Sequence, residues 1–142
     1  MNVLLVYHSN SGNTQRVAQL IRDKLTEQGH SVKIKNALTA TPDQVREAEV
    51  LVVGSPVHGY VLFGQKATKE VRSFLSKLDS SALQSIQVVL FATYLFFPAK
   101  TLVKMEKQVT ENQGTVQGQI AMHRSKKEDL AERVTQLVIS GQ

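Results

Sequence analysis

The sequence contains no cysteine and no tryptophan, and only three prolines among its 142 residues. Without cysteine the chain can form no disulfide, no thiolate metal site and no cysteine nucleophile, so a cysteine-dependent phosphatase is excluded. A long apolar run is also missing, because the longest one, residues 88–97, is about half of the ~20 residues that a membrane-spanning helix needs. The start, Met1–Tyr7, lacks the basic region and cleavage site of a secretion signal. We therefore expect no membrane insertion and a cytoplasmic location.

Charge is only mildly one-sided. Lys and Arg number 17 against 12 Asp and Glu, which gives a formal net charge of +5. This excess favours anionic partners in general, but no basic run is longer than Lys126-Lys127, so we expect no nucleic-acid binding. No metal site is expected either, because the histidines lack the paired spacing of metal ligands. They are His8, His30, His58 and His123.

The chain is predicted to form one domain over residues 1–142, since ~150 residues is a common domain length. Apolar β-branched runs alternate along it with segments of helical periodicity. The predicted strands are Val3–Tyr7, Ser31–Asn36, Val50–Gly54, Ile86–Thr93 and Thr115–Met122. The predicted helices are Thr14–Gln28, Pro42–Glu47, Gln65–Leu78, Pro98–Gln113 and Lys126–Ser140. Gly29 and Gly114 follow helices where a left-handed residue is common.

This alternation predicts an α/β three-layer sandwich, in which a five-stranded parallel sheet carries helices on both faces. The first, third and fourth strands are apolar along most of their length, as central strands are, whereas the second and fifth alternate like edge strands. The strand order 2-1-3-4-5 fits this pattern best. Ligands of such sheets bind outside the carboxyl ends of the strands, at the point where the order reverses. Three loops, residues 8–14, 55–64 and 93–100, are therefore expected to form the site.

The first loop is rich in uncharged hydrogen-bonding groups. The backbone N–H groups of Ser11 to Thr14 would lack helical acceptors, and the helix dipole favours an anion at this end. Nearby hydroxyls and amides add further donors, so the turn could bind a phosphate without lysine. A turn that merely caps the helix is the alternative. The phosphate-binding patterns GxxxxGK[ST] and GxGxxG are both absent.

The other two loops are aromatic. They hold three of the five phenylalanines and two of the three tyrosines, namely Phe63, Phe96, Phe97, Tyr60 and Tyr94. Aromatic side chains gathered on loops at one end of a sheet predict a slot for a flat aromatic ligand. The alternative is that these rings pack beneath neighbouring helices.

Together the three loops resemble those of the flavodoxin family of short-chain, FMN-binding proteins, in the same element order over nearly the whole chain. Ser9–Thr14, SNSGNT, matches the family motif (S/T)-x-(S/T)-G-x-T, which binds the 5′-phosphate of FMN. Gly54-Ser55-Pro56 begins the second loop as in many flavodoxins. Residues 91–96, FATYLF, run parallel to the family pattern F-G-S-Y-G-W. The chain differs at residues 97–99, Phe-Pro-Ala, where the family often has Gly-Asp-Gly, and in being basic rather than acidic.

The resemblance implies FMN as the cofactor, with its ring between the second and third loops. His58 and Tyr60 would border the inner side of the ring, and Tyr94 or Phe96 would cover the outer face. The Gly59 carbonyl would accept a hydrogen bond from reduced flavin N5. The cofactor-binding residues implied are Ser9, Asn10, Ser11, Gly12, Asn13, Thr14, Pro56, Val57, His58, Gly59, Tyr60, Thr93, Tyr94, Leu95 and Phe96.

The expected function is electron transport by a flavoprotein that shuttles single electrons through the flavin semiquinone, with no catalytic side chains. A small FMN-dependent NAD(P)H:quinone-type oxidoreductase and a flavin-free binding module are the alternatives. A receiver domain would need a carboxylate where Ser55 stands, and an α/β-hydrolase would need the absent GxSxG. His123, Arg124, Lys126 and Lys127 follow strand five, at the expected ligand end. They predict easier formation of the anionic hydroquinone and redox partners with acidic docking surfaces. The alternative is that they form only the solvated start of the last helix.

Overall fold

The computed structural model describes residues 1–57, 64, 66–96 and 100–141. Within these residues one parallel five-stranded sheet has the order β2-β1-β3-β4-β5, which confirms the predicted architecture. Its strands are β1 Asn2–Tyr7, β2 Ser31–Asn36, β3 Val50–Pro56, β4 Gln87–Tyr94 and β5 Thr115–His123. The helices are α1 Asn13–Glu27, α2 Pro42–Arg46, α3 Lys69–Ser76, α4 Ser80–Leu83, α5 Thr101–Glu111 and α6 Lys127–Ser140. In this part of the chain no helix has the length and apolarity to cross a membrane.

Two hydrophobic cores lie on opposite faces of the sheet, because successive strand side chains point to opposite sides. On one face Leu5 of β1 and Phe91 of β4 pack in a cluster with α1 and α6. On the other face Leu4 of β1 packs in a cluster with Phe74 of α3 and Met105 of α5. β1, β3 and β4 are almost wholly buried, whereas β2 and β5 are only partly covered. The predicted central and edge strands are thereby confirmed.

The helix ends follow local chemistry. Thr41 caps α2: its hydroxyl accepts from the Gln44 N–H at 3.4 Å, and the Gln44 amide oxygen accepts from the Thr41 N–H at 3.0 Å. Gly29, which follows the C-cap Gln28 of α1, has φ +87°, as predicted. After α5, however, the left-handed residue is Gln113, with φ 65°, and not Gly114. Gly114 is needed for another reason, since a Cβ there would lie 2.6 Å from Val109 Cγ1.

Several predicted boundaries were wrong. α3 begins at Lys69 after the cap Thr68, and α5 begins at Thr101; the predicted starts, Gln65 and Pro98, lie outside the described residues. β3, β4 and β5 run on to Pro56, Tyr94 and His123.

The short helix α4 was missed. It is capped by Asp79, whose carboxylate accepts from the Ala82 N–H at 3.0 Å. The Ser81 hydroxyl, donating at 2.6 Å, holds the pKa of Asp79 below its ordinary value. An aspartate at this position is itself a helix-start signal.

Candidate functional site

The first loop turns through a left-handed glycine. Gly12 precedes α1 with φ 89° and ψ −6°. A Cβ built on Gly12 would meet no atom within 4 Å, so backbone conformation, and not crowding, is what requires glycine here. A residue with a Cβ is strained at this φ. The turn aims the start of α1 at the carboxyl end of the sheet.

Two serine hydroxyls in the loop each accept a hydrogen bond from within it. Ser9 Oγ accepts from the Gly12 N–H at 2.9 Å, and Ser11 Oγ accepts from Asn13 Nδ2 at 2.9 Å. The Gly12 N–H is thus already bonded within the loop, to a hydroxyl and not to a helical carbonyl. Because a hydroxyl also carries one donor proton, both serines keep that proton for an outside acceptor. No side chain caps α1, so its first N–H groups are also open to a ligand.

A buried hydroxyl pair joins the first loop to the third. Thr14 Oγ1, in the first turn of α1, lies 2.9 Å from Thr93 Oγ1 near the end of β4. The two residues are 1% and 3% exposed. One hydroxyl must donate to the other, which leaves one proton of the pair for a ligand. The pair also fixes the position of α1 relative to β4.

Hydrogen bonds hold the start of the second loop in place. The Ser55 hydroxyl is buried, donates to the Pro56 carbonyl at 2.8 Å and accepts from the Thr68 N–H at 3.0 Å. The Val57 N–H donates to the Thr93 carbonyl at 2.9 Å. The end of β3 and the start of α3 are therefore tied to each other, and the loop's first residue is tied to β4.

Described residues of the three loops, together with Arg124, line a cleft of about 180 Å³. Its described lining is Ser9, Asn10, Ser11, Asn13, Thr14, Pro56, Val57, Thr93, Tyr94, Leu95 and Arg124. All the predicted site residues are among these except Gly12, Phe96 and residues 58–60. Gly12 shapes the first turn. Phe96 is 61% exposed, and His58, Gly59 and Tyr60 lie outside the described residues.

Arg124 lines the cleft, although the sequence predicted only that it lies at the ligand end of the sheet. Its backbone N–H donates to the Tyr94 carbonyl at 2.8 Å. The neighbouring His123 packs edge-on against the Tyr94 ring, with the ring centroids 5.8 Å apart and an interplanar angle of 90°. The signal for Arg124 was its place directly after β5, because β5 pairs with β4 and residues beyond paired strand ends lie side by side.

The donor chemistry of the cleft suits an anion joined to a flat ring. Hydroxyl and amide groups line one part, and Val57, Tyr94 and Leu95 line another. Among the described lining residues Arg124 is the one charged side chain, and no carboxylate opposes it. Since helix N-termini and hydroxyl protons favour anions, this cleft can hold a phosphate by neutral donors and one cation.

Comparison with known proteins agrees with this geometry. A family model described as "Flavodoxin domain" matches residues 4–126. A flavodoxin from Clostridium beijerinckii is 25% identical over 105 residues, covering 74% of this chain and 73% of that protein. A Streptococcus pneumoniae TIGR4 flavodoxin structure superposes with a TM-score of 0.81 at 16% identity, covering 100% of both chains. Two-electron reduced Megasphaera elsdenii flavodoxin gives a TM-score of 0.78 at 20% identity, covering 94% of this chain and 98% of that one. This chain belongs to the flavodoxin family of electron-transfer flavoproteins.

Proposed function

We propose that this protein binds FMN in the cleft and shuttles single electrons through the flavin semiquinone. The observation that carries the proposal is the set of free hydroxyl protons at the start of α1. Ser9 and Ser11 each accept internally and keep a proton, and the Thr14–Thr93 pair keeps one more. A dianionic phosphate accepts several hydrogen bonds at once, so this donor set matches it.

The apolar part of the cleft suits the flavin ring. Leu95 is 41% exposed and Phe96 is 61% exposed, and an apolar side chain left open beside a cleft can be covered by a flat ligand. Tyr94 already packs against His123. We therefore assign the outer face of the ring to Phe96 and the edge to Tyr94. His58, Gly59 and Tyr60 enter the proposal through the family resemblance alone.

Bound FMN supplies the redox chemistry, and the side chains of this protein supply binding and orientation. The first loop would hold the phosphate, while Val57 and the third loop would exclude water from the ring. The described lining residues include no carboxylate, histidine or lysine to act as a general acid or base. An electron carrier needs no such group.

Stepwise photoreduction of the FMN-loaded protein tests the one-electron step. We expect a long-wavelength radical absorption that rises to half-reduction and then falls. NADH or NADPH should not bleach the flavin unless a separate reductase is added. Direct conversion of oxidised to fully reduced flavin, or rapid bleaching by NAD(P)H alone, would contradict the carrier proposal and favour a reductase.

The charge at the cleft mouth is proposed to select acidic redox partners. Arg124 and Lys126 are exposed, and the Lys127 ammonium donates to the Arg124 carbonyl at 2.6 Å. Arg124 directly follows β5 and is bonded to Tyr94, and the two lysines stand at the start of α6. A positive mouth attracts anions over roughly a Debye length, about 10 Å at 0.1 M salt.

Small electron acceptors of opposite charge test this proposal directly. Oxidation of the reduced protein by ferricyanide should slow as NaCl is raised, because screening removes an attraction. Oxidation by hexaammineruthenium(III), a cation, should instead accelerate. The same salt response for both acceptors would show that the mouth is not electrostatically selective.

A further inference from the structure

Arg124 lines the cleft across the end of β4 from the start of α1. Two hydrogen bonds on consecutive residues of β4 define this position. The Thr93 hydroxyl contacts the Thr14 hydroxyl of α1, and the Tyr94 carbonyl accepts from the backbone N–H of Arg124. The start of α1 and residue 124 therefore flank the same strand end. α6, which follows Arg124, packs beside α1, and Lys24 of α1 lies 3.3 Å from Glu132 of α6.

The guanidinium of Arg124 has no partner among the residues that the structure describes. Its backbone makes two hydrogen bonds, through the N–H to Tyr94 and through the carbonyl from Lys127. No ion pair or side-chain hydrogen bond to a described residue engages its side chain. By contrast, Arg46 contacts both Asp43 and Asp79. An arginine held by its backbone in a cleft, with its five donors free, is suited to an anion.

We propose that Arg124 contacts the phosphate of the flavin ligand and adds to the preference of the cleft for FMN over riboflavin. This inference rests on the proposed function. The first loop contains no lysine or arginine, so Arg124 supplies the positive charge that the loop itself lacks. A guanidinium can form two parallel hydrogen bonds to a phosphate, which ties recognition to the phosphate and not to the ring.

The test compares FMN with riboflavin, which lacks the phosphate, in fluorescence titrations of the flavin-free protein. Arg124→Gln should raise the Kd for FMN about fivefold to tenfold, because an exposed charge-assisted contact is lost, and leave the Kd for riboflavin within about twofold. Lys126→Gln is the matched control, since it removes an exposed cation two residues away that does not line the cleft. It should leave both values within about twofold.

The inference is overturned if Arg124→Gln weakens both flavins equally, because the residue would then act on the ring or on the fold. It is also overturned if neither flavin is affected, or if Lys126→Gln lowers FMN affinity as much as Arg124→Gln does. Circular dichroism of both variants checks that they fold. If the wild-type protein binds neither flavin, the proposed function itself fails and this inference fails with it.

Discussion

Gly54→Ala is expected to lower the free energy of unfolding by about 3 kcal/mol. Gly54 lies in β3 opposite Phe91 of β4, and a Cβ at this position would lie 2.0 Å from Phe91 Cζ. The Phe91 ring is fully buried in the α1–α6 core, so it cannot move without displacing its neighbours. Equilibrium unfolding in urea, followed by circular dichroism, measures the loss.

The Phe91→Leu variant provides the control for this prediction. Leucine is shorter than phenylalanine and leaves room for the added methyl group. Phe91→Leu alone should lower the free energy of unfolding by about 1–2 kcal/mol, because the smaller side chain fills the core less well. The double variant should lose less stability than the sum of the two single-variant losses, by about 1 kcal/mol or more, because Phe91→Leu relieves the clash that Gly54→Ala creates. Strictly additive losses would show that the Gly54 site does not depend on the Phe91 ring.

Thr14→Val is expected to weaken FMN binding about 10-fold to 100-fold. It removes a hydroxyl next to the start of α1, and hydrogen bonds to charged groups contribute about 1.5–3 kcal/mol. It also leaves the buried Thr93 hydroxyl without its partner at 2.9 Å. Riboflavin binding should change no more than about threefold, because that ligand lacks the charged group. Fluorescence titration of the flavin-free variant with both ligands measures the difference.

Two further threonines sharpen this prediction. Thr93→Val should weaken FMN binding less than Thr14→Val does, because Thr14 lies in the first turn of α1 whereas Thr93 lies on β4. Thr135→Val is the matched control: its hydroxyl is equally buried but donates at 2.7 Å to the Ala131 carbonyl within α6. It should leave the affinity for FMN unchanged. If Thr135→Val lowers affinity as much as Thr14→Val, general destabilisation explains both results.

The sheet and its ligand end could be predicted because the signals are local. Runs such as Val50–Val53 identify a strand covered on both faces, and strand–helix alternation allows few arrangements. The motif Ser9–Thr14 is also local, since a strand, a turn and a helix start are adjacent in the chain. The structure confirms the sheet order, and it places most of the predicted residues around one cleft.

What the sequence did not reveal depends on contacts between distant residues. Thr14 and Thr93 are 79 positions apart, and only the packing of α1 on β4 brings their hydroxyls together. The start of α3 was misplaced because Thr68 is held by the Ser55 hydroxyl, 13 positions earlier, a contact that periodicity does not encode. Arg124 enters the cleft through a strand pairing, which becomes visible only once the sheet is built.

Binding of the phosphate by uncharged donors at the start of α1 is tested most directly by titrating the purified, flavin-free protein with FMN and with riboflavin. We expect FMN to bind at one site per chain and about 100-fold or more tightly than riboflavin, a difference of about 2.7 kcal/mol that arises from the phosphate contacts. Failure of the correctly folded protein to retain FMN, or equal affinity for the two flavins, would contradict that expectation.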